Sequence, residues 1–393
     1  MNKTGIIQGH FFSVDTRVFI SCNACKRREL DSILIKKYLQ LNNYTVVEDI
    51  DLANIIIFFT CSFSKEMSLD SIKKLDNYSK NYDIVFVFGC FPVIGIHDFK
   101  YPDNVITINN DELQKIELFF PPIVMGISHI KDGNDIYYDD VFNDDVFLIR
   151  ISKGCLGNCS YCAIKKAIGI LKSKTMPHVL EEVEFAISQN YSYIRLVADD
   201  GGGYGIDLGL DIIQLLKKIS GYNQIKGIEF EINPKWILKY KEGFVEFMKN
   251  NLRLFNKITV PMQTASIKLL KQMNRMIDLH EFDTIMAEIM GNNDFSTFFI
   301  THIITGYPSE TQEDQNVTLD FLNQHRFNQI NVFPFTLHPN SPIGSVYKTD
   351  DVIIYEKTNS FVERLYSIGY DVFESSKSES NQWQHVILRL SSN

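Results

Sequence analysis

Three cysteines on one short loop most constrain how this chain can fold. Cys155, Cys159 and Cys162 directly follow residues 146–151 (VFLIRI), an apolar run that predicts a strand. Three thiolates on one tight loop can hold three irons of a [4Fe–4S] cluster and leave the fourth iron open to a small molecule. A structural zinc site is the alternative, but zinc usually takes four ligands, and no histidine follows at a suitable spacing. The loop therefore predicts an iron–sulfur site at a strand end.

The chain after this loop alternates between strand-like and helical segments. Strands are predicted at residues 193–198, 227–232, 257–261, 297–305 and 329–335, and the intervening helices include 179–189, 208–219 and 266–273. Together with the strand before the cysteine loop, these segments give six strand–helix alternations joined by short loops. Such a series predicts a partial (β/α)6 barrel, in which loops at the carboxyl ends of the strands carry the chemistry.

The first third of the chain repeats the alternation on a smaller scale. Apolar runs at residues 18–20, 54–59 and 84–89 are separated by helical segments at 30–39 and 65–78. Continuous apolar strands between helices are typical of a doubly wound α/β domain with a buried parallel sheet. An Asp-, Asn- and Gly-rich stretch at 131–145 predicts a linker. The predicted domains are therefore 14–130, 143–345 and a short α/β extension at 346–393.

Cysteines also end the predicted strands of the first domain. Cys61 follows the second strand and Cys90 the third, while either Cys22 or Cys25 ends the first. Residues just beyond the carboxyl ends of adjacent parallel strands converge on one crevice. Buried structural cysteines are the alternative, since cysteine is often fully buried. Because cysteines end all three strands, a second cluster with an open iron is the favoured interpretation.

Four segments match, in order, the motifs of one known family. They are residues 54–62 (NIIIFFTCS), 149–164 (IRISKGCLGNCSYCAI), 261–275 (PMQTASIKLLKQMNR) and 302–314 (HIITGYPSETQED). On these motifs the chain resembles the radical-SAM methylthiotransferase family, the MiaB/RimO group, from about residue 18 to residue 344. The resemblance implies an enzyme that replaces a C–H with C–SCH3. One cluster would cleave S-adenosylmethionine (SAM) to a 5′-deoxyadenosyl radical, and an auxiliary cluster would carry the sulfur.

The resemblance also assigns individual residues. Cys155, Cys159 and Cys162 would hold the radical-SAM cluster. The family places Asp/Glu-Ser six and seven residues after its first auxiliary cysteine; Asp31 and Ser32 stand there if that cysteine is Cys25. This implies an auxiliary cluster on Cys25, Cys61 and Cys90, with Cys22 as a spare thiol. The SAM-contacting positions implied are Tyr161, Ser173, Lys174, Asp200, Asn233, Gln263 and Gly306.

The net charge and the C-terminal part of the sequence bear on the class of substrate. The formal net charge is −9, whereas affinity for nucleic acid rests on Lys and Arg. The family's usual C-terminal TRAM domain is not recognisable after residue 344. We therefore expect a peptide or protein substrate, such as a ribosomally made peptide, with a tRNA adenosine as the alternative.

The resemblance further implies a reductant such as a flavodoxin or ferredoxin. No apolar run reaches the ~20 residues of a membrane span, and the N-terminus does not resemble a signal peptide. We therefore expect a cytoplasmic location without a membrane partner. Two other interpretations stay open. One is a radical-SAM enzyme whose first domain is a redox relay, and the other is a scaffold or sensor that uses its clusters structurally.

Overall fold

The computed structural model describes residues 11–96, 99–130, 134–139, 144–291, 297–377 and 383–391. The chain divides into two compact units. The first contains Met1–Asp135 together with two later segments, Ala163–Gly169 and His338–Asn340. The second contains Ile136–Cys162, Ile170–Leu337 and Ser341–Asn393, so the residues after 345 belong to it.

The first unit is built on a parallel sheet of five strands in the order β2-β1-β3-β4-β5. The strands are β1 (Arg17–Cys22), β2 (Thr45–Val46), β3 (Ile55–Thr60), β4 (Ile84–Gly89) and β5 (Val105–Thr107). The helices are α1 (Lys26–Leu41), α2 (Lys65–Asn81), α3 (Phe91–Ile94) and, from a later segment, α4 (Ile164–Ile168). The three predicted strands are present, and β2 and β5 extend the sheet at both edges.

Helices cover both faces of this sheet. Side chains alternate along β3: Ile57 and Phe59 pack in one core with Tyr38 of α1, while Phe58 packs in a second core with Tyr78 of α2. A strand buried on both faces has to be apolar at every position, which explains the continuous run of residues 55–59. The doubly wound α/β fold predicted for this region is confirmed.

The second unit contains a nine-stranded sheet and a two-stranded one. Its strands are β6 (Ile136–Asp139), β7 (Asp144–Arg150), β8 (Ser152–Lys153), β9 (Lys172–Ser173), β10 (Tyr193–Val197), β11 (Gly227–Glu231), β12 (Phe255–Gln263), β13 (Phe298–Thr305), β14 (Gln329–Pro334), β15 (Tyr370–Lys377) and β16 (Trp383–Leu390). Its helices are α5 (Met176–Ser188), α6 (Ile212–Ile219), α7 (Pro234–Lys239), α8 (Lys241–Asn251), α9 (Ile267–Gln272), α10 (Leu279–Gly291), α11 (Gln312–His325) and α12 (Asp351–Ser367).

Six neighbouring strands of the large sheet are parallel: β7, β10, β11, β12, β13 and β14. They give the predicted partial (β/α)6 barrel. One face of these strands packs against the helices through residues such as Ile194, Ile228 and Val260. The alternate positions face the other way and carry charged residues such as Arg195 and Lys257, which border a cavity of about 150 Å³.

Antiparallel strands extend both edges of this series. At one edge β6 pairs with β7, although residues 136–139 fall in the predicted linker. Residues 131–133 and 140–143 of that linker lie outside the described residues. At the other edge β16 pairs with β14, and β15 pairs with β16. The polar sequence of 370–377 does not predict β15, because only alternate positions such as Tyr370 contribute to the core. Within the described parts of the chain, no helix is both long and apolar enough to span a bilayer.

Candidate iron–sulfur centres

Glycines shape the loop that carries Cys155, Cys159 and Cys162. Gly154 has a φ of +77°, and a Cβ there would lie 2.2 Å from the carbonyl oxygen of Ile170, so only glycine fits. The Gly157 N–H donates to Cys155 Sγ at 3.1 Å. A Cβ on Gly157 would lie 3.1 Å from Cys155 Sγ and 3.9 Å from Cys159 Sγ. The backbone at Gly157 therefore leaves room beside two of the three thiols.

Asp200 holds the first cysteine of this loop. Its Oδ2 accepts hydrogen bonds at 3.3 Å from the Cys155 thiol, the Leu156 N–H and the Lys235 ammonium. Its Oδ1 accepts from the indole N–H of Trp236 at 2.6 Å. Burial, and after it the Asp200 charge, raises the pKa of Cys155 to about 12. The sequence predicts Asp200 as a SAM contact; in the structure its carboxylate lies against the cysteine loop.

Arg275 lies against the second cysteine. Its Nη1 is 3.6 Å from Cys159 Sγ and 3.5 Å from the hydroxyl of Tyr161. Its Nη2 donates to the Pro261 carbonyl at 2.6 Å. Burial raises the pKa of the Tyr161 phenol, which keeps it a neutral hydrogen-bonding partner. Neither Arg275 nor Lys235 is among the residues predicted for the site, although Arg275 ends the matching segment 261–275.

Hydrogen bonds also anchor the middle of the loop to the end of α9. The Ser160 N–H donates to the Met273 carbonyl at 3.0 Å, and its hydroxyl donates to the Gln272 carbonyl at 2.6 Å. The Asn274 amide donates to the Asn158 carbonyl at 2.7 Å. Such supporting contacts fix the direction of ligand side chains before a metal binds.

Two predicted SAM contacts lie at the end of β9: Ser173 is its last residue, and Lys174 follows it. The Ser173 hydroxyl accepts from the Gly205 N–H at 2.9 Å, so it is tied to the loop after β10. The Lys174 ammonium forms an ion pair with Glu182 of α5 at 2.6 Å. Both residues are therefore placed by neighbouring elements of the second unit, and their contact with SAM stays a prediction.

Three further predicted contacts lie at the carboxyl ends of strands β11, β12 and β13. Asn233 is the N-cap of α7, where its side chain accepts from the Lys235 N–H at 3.2 Å. Gln263 has a φ of +74° at an irregularity in β12. Gly306 has a φ of +75°, and its N–H donates to Glu310 at 2.7 Å. Each position has a structural role of its own, and SAM binding by these residues stays a prediction.

The glycine run 201–203 forms a buried 3₁₀ turn. From the sequence, either a close approach to a ligand or a surface turn fits this run. In the structure, a Cβ on Gly202 would lie 2.5 Å from the Trp236 side chain. The glycines therefore allow the backbone to pack on Trp236, the residue that holds Asp200.

Four cysteines lie at one edge of the first unit's sheet. Cys22 ends β1, Cys25 is the N-cap of α1, Cys61 follows β3, and Cys90 follows β4 and is the N-cap of α3. Burial raises the pKa of both Cys22 and Cys61, and in each case the nearby Cys25 thiol raises it further. Cys25 therefore lies close enough to both of these thiols to interact with them electrostatically.

The two later segments of the first unit contact the region around Cys61 and Cys90. Cys90 packs with Ala163 and Ala167 in a small apolar cluster. The Asn340 side chain donates to the Ile94 and Gly95 carbonyls, both at 3.3 Å. His338 hydrogen-bonds to the Ser62 backbone, and burial lowers its pKa. The surroundings of the strand-end cysteines are thus completed by residues distant in sequence.

Among the described residues, no three His, Cys, Asp or Glu side chains meet closely enough to hold a single metal ion. A [4Fe–4S] cluster requires a different arrangement of ligands from a single metal ion. Each cysteine binds a different iron, so the ligand sulfurs stand further apart. Both sets of cysteines supply the thiol donors such a cluster takes, and the space at Gly157 lies beside two of those thiols.

Comparisons with known proteins agree with this architecture. A model described as the Radical SAM superfamily matches residues 149–322, and one described as Uncharacterized protein family UPF0004 matches residues 17–101. The radical S-adenosylmethionine methyltransferase TsrM from Kitasatospora setae is 10% identical with a TM-score of 0.60, and the match covers 96% of this chain and 86% of that chain. At this identity, the likeness shows the fold.

Two curated relatives extend over most of the chain. The ribosomal protein uS12 methylthiotransferase RimO of Acetivibrio thermocellus is 25% identical, covering 89% of this chain and 85% of that protein. The probable threonylcarbamoyladenosine tRNA methylthiotransferase of Pyrococcus horikoshii is 24% identical, covering 91% and 85%. With both family models matching and methylthiotransferases aligned over nearly the whole length, the chain belongs to the radical-SAM methylthiotransferase family, whose members are enzymes that use a [4Fe–4S] cluster and SAM.

Proposed function

We propose that this enzyme transfers a methylthio group to an unactivated C–H of a peptide or protein. The observation that carries the proposal is the anchored loop of Cys155, Cys159 and Cys162, with Asp200 against its first thiol and Arg275 against its second. Such a loop suits a cluster with one open iron, because three cysteines leave the fourth iron for a small molecule. When bound, the cluster supplies the electron for reductive cleavage of SAM.

The protein's own residues prepare this loop for the cluster. Cys155 is protonated at neutral pH without a metal, since its pKa lies at about 12. Binding of iron therefore has to release a proton there. The Lys235 ammonium, 3.3 Å from Asp200, balances the carboxylate that would otherwise lie beside a thiolate. Tyr161 and Ser173 are assigned to SAM on the resemblance alone.

A second cluster on Cys25, Cys61 and Cys90 belongs to the same proposal. The three residues lie at the carboxyl edge of one parallel sheet, and Cys25 interacts electrostatically with Cys61. Cys22 lies one loop earlier, at the last position of β1. We assign the sulfur-carrying role to this second site, because two sites separate radical formation from sulfur delivery.

The proposed substrate class is peptide or protein. RimO, by its name, acts on ribosomal protein uS12, and several of the matching relatives carry this name. The net charge of −9 also disfavours a large contact with nucleic acid. The alternative is a tRNA adenosine, since the Pyrococcus relative is named for such a substrate. A flavodoxin or ferredoxin is the proposed electron donor.

The test begins with anaerobic reconstitution and counting of iron and sulfide. Two [4Fe–4S] clusters require about eight irons per chain, and about four would contradict the auxiliary site. Dithionite-dependent release of 5′-deoxyadenosine tests the radical chemistry. Candidate peptides, ribosomal proteins and tRNA are then examined by mass spectrometry for a gain of SCH2. Modification of tRNA alone would replace the proposed substrate class with the alternative.

A further inference from the structure

The first two thiols of the 155–162 loop have differently charged neighbours. Cys159 Sγ faces the Arg275 guanidinium at 3.6 Å, and the other hydrogen bonds of that guanidinium go to a phenol and a carbonyl, both neutral. The Asp200 carboxylate also interacts with the guanidinium electrostatically. Cys155 Sγ instead faces the Asp200 carboxylate at 3.3 Å, which is itself paired with Lys235. One thiol therefore has a cation beside it, and the other has an ion pair whose negative end is closer.

These contacts have a defined effect on a cluster bound at the thiols. Reduction adds one negative charge to the cluster, so a nearby cation stabilises the reduced state and a nearby anion destabilises it. Hydrogen bonds to the ligand sulfurs and net charge are among the main determinants of iron–sulfur potentials. The effect is strong in this site because Asp200 is buried, and a buried charge is screened less by salt and water.

We propose that Arg275 and the Lys235–Asp200 pair set the reduction potential of the cluster on Cys155, Cys159 and Cys162. Arg275 raises the potential through its N–H···S contact with Cys159. Asp200 lowers it through Cys155, and Lys235 limits that lowering by pairing with the carboxylate. The inference rests on the proposed assignment of these cysteines to a cluster. All three are positioning residues, because they act through a cysteine or through each other.

The geometry also explains why the three charged groups stay in place. Asp200 is fixed by the Trp236 indole at 2.6 Å. Lys235 is the second residue of α7, and its Nζ lies 4.4 Å from the centroid of the Trp236 ring. Arg275 is fixed by the Pro261 carbonyl at 2.6 Å. A preorganised charge keeps its full effect because it does not relax when the electron arrives.

A purely structural role for these residues makes a different prediction. If Arg275 only ties the loop to Pro261, its loss would lower cluster occupancy without moving the potential of the clusters that form. If Asp200 only holds the Leu156 N–H, an asparagine would replace it with little effect on the potential. Only the charge effect predicts that substitutions of Arg275 and Asp200 shift the reduction potential in opposite directions.

The experiment is a redox titration of the reconstituted full-length enzyme followed by EPR. The signal of the loop's cluster is identified as the one that changes when SAM is added. The variants are Arg275→Gln, Arg275→Lys, Lys235→Met, Asp200→Asn and the double variant Lys235→Met/Asp200→Asn. Lys239→Met is the matched control. Lys239 lies on the same helix as Lys235, with its Nζ 5.1 Å from the centroid of the Trp236 ring. The described hydrogen bonds of Asp200 come from Cys155, Leu156, Lys235 and Trp236, and not from Lys239.

Arg275→Gln is expected to lower the ratio of reduced to oxidised cluster at a fixed potential about tenfold, equivalent to a shift of about 59 mV for one electron. Arg275→Lys should recover much of the wild-type potential. Lys235→Met should also shift it to more negative values, Asp200→Asn to more positive ones, and the double variant should lie between its two parents. Lys239→Met should leave it unchanged.

Equal potentials in all variants, or shifts of the same sign for Arg275→Gln and Asp200→Asn, would overturn the inference. If Asp200→Asn forms no cluster, the potentials of Arg275→Gln, Arg275→Lys and the wild type are compared instead. Equal potentials in these three proteins would overturn the inference. Failure of the underlying assignment gives a different result, since the wild-type enzyme would then show no SAM-sensitive [4Fe–4S] signal at all.

Discussion

The two proposed cluster sites of this enzyme are assembled in opposite ways. Cys155, Cys159 and Cys162 lie on one loop, whose backbone is anchored to α9 through Ser160. Cys25, Cys61 and Cys90 follow three separate strands, and later segments such as His338–Asn340 complete their surroundings. A site on one loop depends on local contacts, whereas a site at three strand ends depends on the whole sheet. The two sites should therefore fail differently when they are perturbed.

The largest effect is expected at the loop. Cys159→Ala should remove its cluster, because two thiolates of one loop do not retain a cluster that normally has three. Iron content should fall by about four atoms per chain, and 5′-deoxyadenosine should fall to the level without enzyme. The EPR signal of the other site should persist. Undiminished 5′-deoxyadenosine would show that the radical is made elsewhere.

The next largest effect distinguishes Cys25 from Cys22 as the cluster ligand of the first unit. Cys25→Ala should remove about four irons and abolish methylthio transfer, while reductive SAM cleavage continues. Cys22→Ala is the matched control, since Cys22 precedes it by one short loop and also interacts with it electrostatically. It should retain both clusters. Loss of a cluster in Cys22→Ala and not in Cys25→Ala would refute the assignment of Cys25 as a cluster ligand.

The same contrast explains what the sequence could predict. The loop cysteines and the six parallel strands are predictable, because both are signalled by contiguous residues. The anchors Arg275, Lys235 and Trp236 are not, since they reach the loop from α7 and the chain after α9. The strand Ile136–Asp139 is missed because its Asp-rich flanks indicate a linker, whereas tertiary contacts bury Asp139 beside Lys257. Pairing over long sequence distances determines these features, and no local pattern records it.

A stability prediction tests the buried charges on strands β6, β11 and β12 of the second unit. The Lys257 ammonium is paired with Asp139 and lies 3.8 Å from Glu229, both almost fully buried carboxylates. Lys257→Met should lower the free energy of unfolding of the second unit by about 3–5 kcal/mol, because it removes one partner of a buried ion pair. Urea denaturation of the apo-protein, followed by tryptophan fluorescence, measures this, because Trp236 and Trp383 both belong to the second unit. The first unit should be unaffected.

Lys249→Met provides the control for Lys257. Lys249 pairs with Glu288, but both side chains are about two-fifths exposed (46% and 40%). Exposed ion pairs contribute about 0–1 kcal/mol, so this variant should unfold close to wild type. A loss of similar size in both variants would mean that removal of any lysine stem, and not burial of the charge, destabilises the unit.

The smallest effects compare one anchor from each site. Asn340→Ala removes the hydrogen bonds to the Ile94 and Gly95 carbonyls in the first unit, and Ser160→Ala removes the one to the Gln272 carbonyl in the second. Each should cost about 1 kcal/mol. The informative measurement is the rate at which a chelator removes iron from each cluster. Asn340→Ala should accelerate loss only from the auxiliary site, and Ser160→Ala only from the loop. If both variants accelerate loss from both clusters, the two sites do not have independent supports, and the contrast between local and distributed assembly is wrong.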